Sequence, residues 1–144
     1  MGAPATIDWR SVAALTFDCY GTLVDWETGL ARDLRAGLAP IPNKTDDELL
    51  ALYARAEEEA ERPPFRPYAE VLRRALAAVG KSLNAPVRDA EALVAGLPSW
   101  PNYPDTNEAL RRLQRRFRLV WCRTSTATSS RRPRRGSASA STRS

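Results

Sequence analysis

Residues 12–27 read VAALTFDCYGTLVDWE. The first six, Val12 to Phe17, are a short and largely apolar run that halts at a polar, glycine-containing turn, which predicts a buried strand. Asp18-Cys19-Tyr20-Gly21-Thr22-Leu23 follows at once. A carboxylate is thereby placed at a strand's carboxyl end, where open α/β sheets gather their ligands. Gly21 permits a backbone conformation closed to other residues, and Thr22 carries a hydroxyl able to orient that carboxylate or meet a substrate. A lone Asp before a glycine would merely cap a turn. In this setting Asp18 is the candidate nucleophile, with Thr22 as its supporting contact.

Outward from the loop the chain reads as mostly helical. Thr45 and Glu48 have capping-box spacing ahead of Leu49, Leu50, Leu52, Tyr53 and Ala56, predicting a helix to about Arg62. Pro63 and Pro64 end it, and Pro67 opens another whose apolar face holds Val71, Leu72, Leu76 and Val79, with Gly80 as its stop. A third helical stretch is expected from about Pro86 to Gly96, carrying Val87, Ala90, Leu93 and Val94. Leu97 to Pro104, rich in proline, reads as a linker returning the chain. Asp105 with Glu108 caps one more helix, with Leu110 and Leu113 on its apolar side, and Phe117-Arg118-Leu119-Val120 begins a second buried strand. Strand, helical insert, helix and strand imply an α/β core.

Charge is informative only when divided along the chain. Of the 22 basic residues six are arginines within 121–144, and the remainder carries 16 basic against 17 acidic side chains, so the formal +5 belongs to the tail. A nucleic-acid-binding body loses its main support. Two cysteines, Cys19 and Cys122, without metal-ligand spacing, and the lack of an export signal make a reducing cytoplasm the expected compartment. No apolar stretch approaches the roughly 20 residues of a membrane helix.

The run LTFDCYGTLVDWE (15–27) resembles the first motif of the haloacid dehalogenase superfamily, and the helical insert matches that family's cap domain in position. The resemblance extends from about Val12 to Val120. It implies an α/β, Rossmann-like core, incomplete here, with an inserted α-helical cap: 1–26 as first strand and nucleophile loop, 27–97 as cap, 98–122 as return linker, helix and second strand, and 123–144 as a basic tail. It also implies a hydrolase in which Asp18 forms a covalent ester. Superfamily phosphatases usually place a second Asp where this chain has Tyr20, to protonate a departing alkoxide, whereas a departing halide needs no proton. Tyr20 therefore points to the branch that displaces halide from a small 2-haloacid, with no cofactor. The alternative is a small-molecule phosphatase needing Mg2+ held in part by Asp18. Arg55 sits on the cap helix where such dehalogenases place an arginine facing the substrate anion, although an ordinary solvated arginine reads the same way. Tyr20 and Arg55 are thus the substrate-binding candidates. Glu57, Glu58 and Glu59 read as a solvated face. Trp26 and Trp100 read as packing in preference to lining the core–cap entrance, and Cys19 as a small core hydrophobe. The expected partner is a small-molecule substrate, without membrane or nucleic acid, and an intact homologue could form a homodimer.

The family pattern breaks after Val120. A Ser or Thr followed by Asn is expected there, with a lysine and an acidic motif later, yet the chain continues WCRTST. A shifted reading frame accounts for the break: codons for Trp121, Cys122, Arg123 and Thr124 permit Val-Ser-Asn when each third base is joined to the next codon's first two. On that reading the chain is a truncated, inactive and aggregation-prone copy of the hydrolase, because one complete strand and one helix cannot cover a parallel sheet. The competing reading from another class is a non-catalytic binding protein whose tail, Arg131-Arg132-Pro133-Arg134-Arg135, meets an acidic partner.

Overall fold

The computed structural model describes residues 7–41 and 43–121. The tail, Cys122 and the shifted-frame reading lie outside the described residues. Strand β1 (Ala14–Phe17) and strand β2 (Arg118–Trp121) pair in parallel, Ala14 opposite Arg118 and Phe17 opposite Trp121. Parallel neighbours need a crossover. Here it contains helices α1 (Trp26–Gly37), α2 (Asp46–Glu61), α3 (Tyr68–Ser82), α4 (Ala92–Gly96) and α5 (Thr106–Leu113), with a 3-10 turn at Leu97–Ser99 before α5. Mixed helix and small parallel sheet agree with the α/β expectation.

The core belongs to the helices. Leu30, Leu34 and Leu38 from the first helical segment meet Leu49 and Tyr53 of α2, Leu72, Ala75, Leu76 and Val79 of α3, and Leu93 of α4 in one buried cluster. All four residues expected on the α3 face are buried, as their spacing on one side of a helix requires. The strands differ from expectation. Positions along β1 alternate between exposed and half-buried, while Val120 and Trp121 in β2 are 46% and 62% exposed. The reason is that the extensive helix contacts are with other helices, not with the sheet.

The local signals set most element ends. Thr45 accepts from the Glu48 amide, and the Glu48 carboxylate takes the Thr45 amide at 2.9 Å, completing the capping box at the start of α2. The helix stops one residue before Arg62, and Arg66 covers its end by donating to the carbonyls of Ala60, Arg62 and Pro64. Helix α3 begins directly after Pro67 but runs past Gly80 to Ser82. Its terminator is Asn84, at φ 51°, with the amides of Asn84 and Ala85 turned back onto the carbonyls of Lys81 and Gly80. Gly80 instead lets the backbone pack closely, since a side chain there would press on the Ala85 carbonyl and Leu38.

The structure sharpens three expectations. Between the loop and Thr45, read only as part of a mostly helical insert, lies α1, whose pattern Gly29 and Gly37 dilute. The stretch from Pro86 is helical only from Ala92, because Val87 pairs with Leu38 and the amides of Arg88 and Asp89 go to the Gly37 carbonyl. Helix α5 starts after Asp105 as read, but the Asp105 side chain makes no capping bond.

Candidate functional site

The loop after β1 folds back on itself. The Cys19 carbonyl accepts from the amides of Leu23 and Val24 at 2.8 and 3.0 Å, and the Gly21 amide returns to the Val24 carbonyl at 3.0 Å. Gly21 has φ +81°, a left-handed conformation that side chains oppose, so this closure depends on glycine. It brings Thr22 round to Asp18, whose Oδ2 accepts from Thr22 Oγ1 at 3.4 Å. That separation is long for two oxygens, so the hydroxyl steers the carboxylate more than it binds it. Both side chains are exposed. The Asp18 carboxylate is therefore presented to solvent from a closed turn.

The loop is held from outside by the return linker. The Asp25 amide donates to the Pro101 carbonyl at 2.8 Å, and the Tyr103 amide to the Leu23 carbonyl at 3.3 Å. Thr106, buried at the start of α5, gives that same carbonyl a hydroxyl bond of 3.0 Å, while Val24 bridges to Asn102. Asp25 also caps α1 by accepting from the Thr28 amide at 3.2 Å. Sequence reasoning took Leu97 to Pro104 as a linker and missed this clamp. The available signal was three prolines around two aromatics, which hold a chain extended and leave its carbonyls unpaired for a neighbour.

Tyr20 is 36% exposed and packs edge-on to Trp100, ring centroids 5.5 Å apart at 68°. Trp100 is buried at 9% and Trp26 packs against the same cluster, which agrees with their reading as packing. Cys19 is half-buried; burial pushes its thiol up, and the adjacent Asp18 charge adds to the shift. Arg55 lies exposed on α2, and no contact joins it to the Asp18 loop among the described residues. The structure thus brings together Asp18 and Thr22, sets the Tyr20 ring on Trp100, and leaves Arg55 apart from them among the described residues.

Glu57 corrects the reading of 57–59 as a solvated face. Glu58 and Glu59 are exposed, but Glu57 is half-buried and its Oε1 accepts from both Tyr53 (2.8 Å) and Tyr68 (2.9 Å). Burial above all, together with the nearby carboxylate, pushes both phenols up, so each stays a neutral donor. Glu57 points between α2 and α3 because its two partners lie one turn back on α2 and across on α3.

No family model and no curated protein matches this chain. Among solved structures, one described as "Crystal Structure analysis of a Dehalogenase" is similar, with a TM-score of 0.58 and 21% sequence identity. The fold is dehalogenase-like. The likeness covers 81% of this chain and 52% of that structure, so the chain spans about half its neighbour's length. At this identity the likeness concerns the fold alone. No described helix is long and apolar enough to cross a membrane.

Proposed function

We propose that the chain is built as a hydrolase of the haloacid dehalogenase superfamily, with Asp18 as nucleophile toward a small 2-haloacid. The observation that carries this reading is the Asp18 carboxylate, exposed at the carboxyl end of a parallel strand and steered by Thr22 from a closed turn. One Asp18 oxygen attacks C2, the carbon–halogen pair leaves as halide, and an aspartyl ester remains. Water then attacks the ester, releasing the 2-hydroxy acid and a proton and restoring the carboxylate. Tyr20 occupies the place from which a second carboxylate would protonate an alkoxide, and a phenol suits a halide, which leaves without a proton. Arg55 enters as the guanidinium that would meet the substrate carboxylate if the α2 face turns toward it.

Magnesium-dependent phosphate hydrolysis is the competing chemistry. No group of three His, Cys, Asp or Glu side chains that could hold such an ion gathers among the described residues. The test is incubation with 2-chloropropionate in the presence of a chelator, followed by mass mapping of the Asp18 peptide and assay of chloride. An ester on Asp18, absent in Asp18→Asn, supports the reading. Chelator-sensitive release of phosphate from a monoester, without ester formation from the haloacid, would replace it.

A further inference from the structure

Asp33 is a charged side chain only 6% exposed, in a helix that otherwise buries Leu30, Ala31 and Leu34. A buried carboxylate is costly unless paired and hydrogen-bonded. Asp33 is both: Oδ2 accepts from the Trp100 indole at 2.7 Å, and Oδ1 from Arg32 Nε at 2.8 Å. Arg32 in turn reaches the Ser99 hydroxyl at 2.9 Å, so α1 holds two consecutive residues of the return linker. Two glycines make the approach possible. A methyl on Gly29 would run into the Trp100 ring, and one on Gly96 would run into the Asp33 carboxylate. That ring also meets Tyr20, two residues past Asp18, and the chain just after Trp100 is the strip bonded to Leu23, Val24 and Asp25.

We propose that Asp33 is a positioning residue for the Asp18 loop: by anchoring the Trp100 indole it sets the Tyr20 ring and the linker that clamps the loop. This rests on the nucleophile reading of Asp18 for its consequence in chemistry, but not for its geometry. An aliphatic residue would suit the position's burial equally well. The carboxylate serves orientation, because it fixes a planar ring whose edge-on contact with Tyr20 depends on angle. Displacing a reacting group by about 1 Å costs on the order of a hundredfold in rate, so loosening Trp100 is expected to be felt at Asp18.

The test uses the full chain, with isotope-labelled tyrosine rings and tryptophan indoles, as wild type, Asp33→Leu and Asp33→Asn. In Asp33→Leu the Trp100 indole proton is expected to move upfield and the Tyr20 ring signals to move with it, while Tyr53 holds its position and reports an intact α2–α3 pair. Asp33→Asn keeps an acceptor without the charge, and part of both movements is expected. Should Asp33→Leu fail to fold, Asp33→Asn decides. A moved indole with stationary Tyr20 signals overturns the proposal, as does an indole signal indifferent to the loss of charge. In parallel, ester formation on Asp18 from 2-chloropropionate is expected to fall about tenfold or more in Asp33→Leu and by less in Asp33→Asn. Wild-type protein that forms no ester counts against the nucleophile reading, and the ring signals still decide the role of Asp33.

Discussion

Tyr68 of α3 donates its phenol to Glu57 of α2 at 2.9 Å, in a half-buried site where Tyr53 already occupies the same oxygen. The carboxylate thereby ties together the two longest helices. Tyr68→Phe removes one bond to a charged acceptor and is expected to lower stability by about 1.5 kcal/mol, within the usual range for such bonds. Glu57→Leu leaves two phenols without their shared partner and is expected to cost more. Urea titrations with unchanged slope would check both, and equal stability of Tyr68→Phe and wild type would remove the tie.

The capping box makes the α2 start sensitive to acid. The Glu48 carboxylate is brought down to about 2 from its ordinary 4.5, chiefly by the Lys44 ammonium and then by the Thr45 amide. A group lowered on folding contributes stability above its unfolded value, and loses it as pH falls through the folded one. The box is therefore expected to be intact above about pH 4.5 and lost toward pH 2. Glu48→Gln should flatten that part of a stability-versus-pH curve. Thr45→Ala is expected to cost about 1 kcal/mol at neutral pH.

At the loop, where wild-type protein forms the ester from 2-chloropropionate, Asp18→Asn is expected to abolish it without a change in thermal unfolding. Thr22→Val should retain the ester but slow its formation about tenfold, equivalent to ~1.4 kcal/mol of lost orientation. Initial rates from mass spectra at fixed times would measure both. A Thr22→Val rate equal to wild type would assign the hydroxyl to the turn alone.

Cys19 offers a second reporter beside Asp18. Burial first, and the Asp18 charge second, push its thiol up, so less thiolate is present at neutral pH. Alkylation by iodoacetamide is expected to be slower than for an unfolded peptide of the same sequence. It should quicken in Asp18→Asn, where only the burial contribution remains. Peptide-level mass spectrometry of the Cys19 fragment would read the rates, and identical rates in the two proteins would contradict the Coulombic contribution.

Protection should follow burial and not strand pairing. The cluster around Leu34, Leu49, Leu72 and Leu76 is fully enclosed, whereas the two strands are largely open. Hydrogen exchange is expected to be slowest in α1, α2 and α3 and fast in β1 and β2. Strand amides as slow as those of α3 would mean that the sheet is covered by more than the described residues.

Much of the fold was legible because short-range rules dominate it. The strand-end Asp18, the Thr45–Glu48 box, the break at Pro63 and Pro64, and the Val71, Leu72, Leu76, Val79 face each arise within a few residues. Helix α1 was hidden because its glycines serve contacts with distant partners and not the helix itself, as Gly29 does against Trp100. Glu57 was misread because a charge on a helix says nothing of what lies opposite.

The sequence by itself determined where the carboxylate sits, what closes its turn and which faces of the long helices are apolar, since propensity, capping and periodicity act over one or two turns. Only the tertiary structure decided that a buried Asp33 meets Trp100 across 67 residues and that Thr106 holds Leu23 across 83. Such bonds leave no periodic trace. They become favourable only when packing has excluded water from both partners at once.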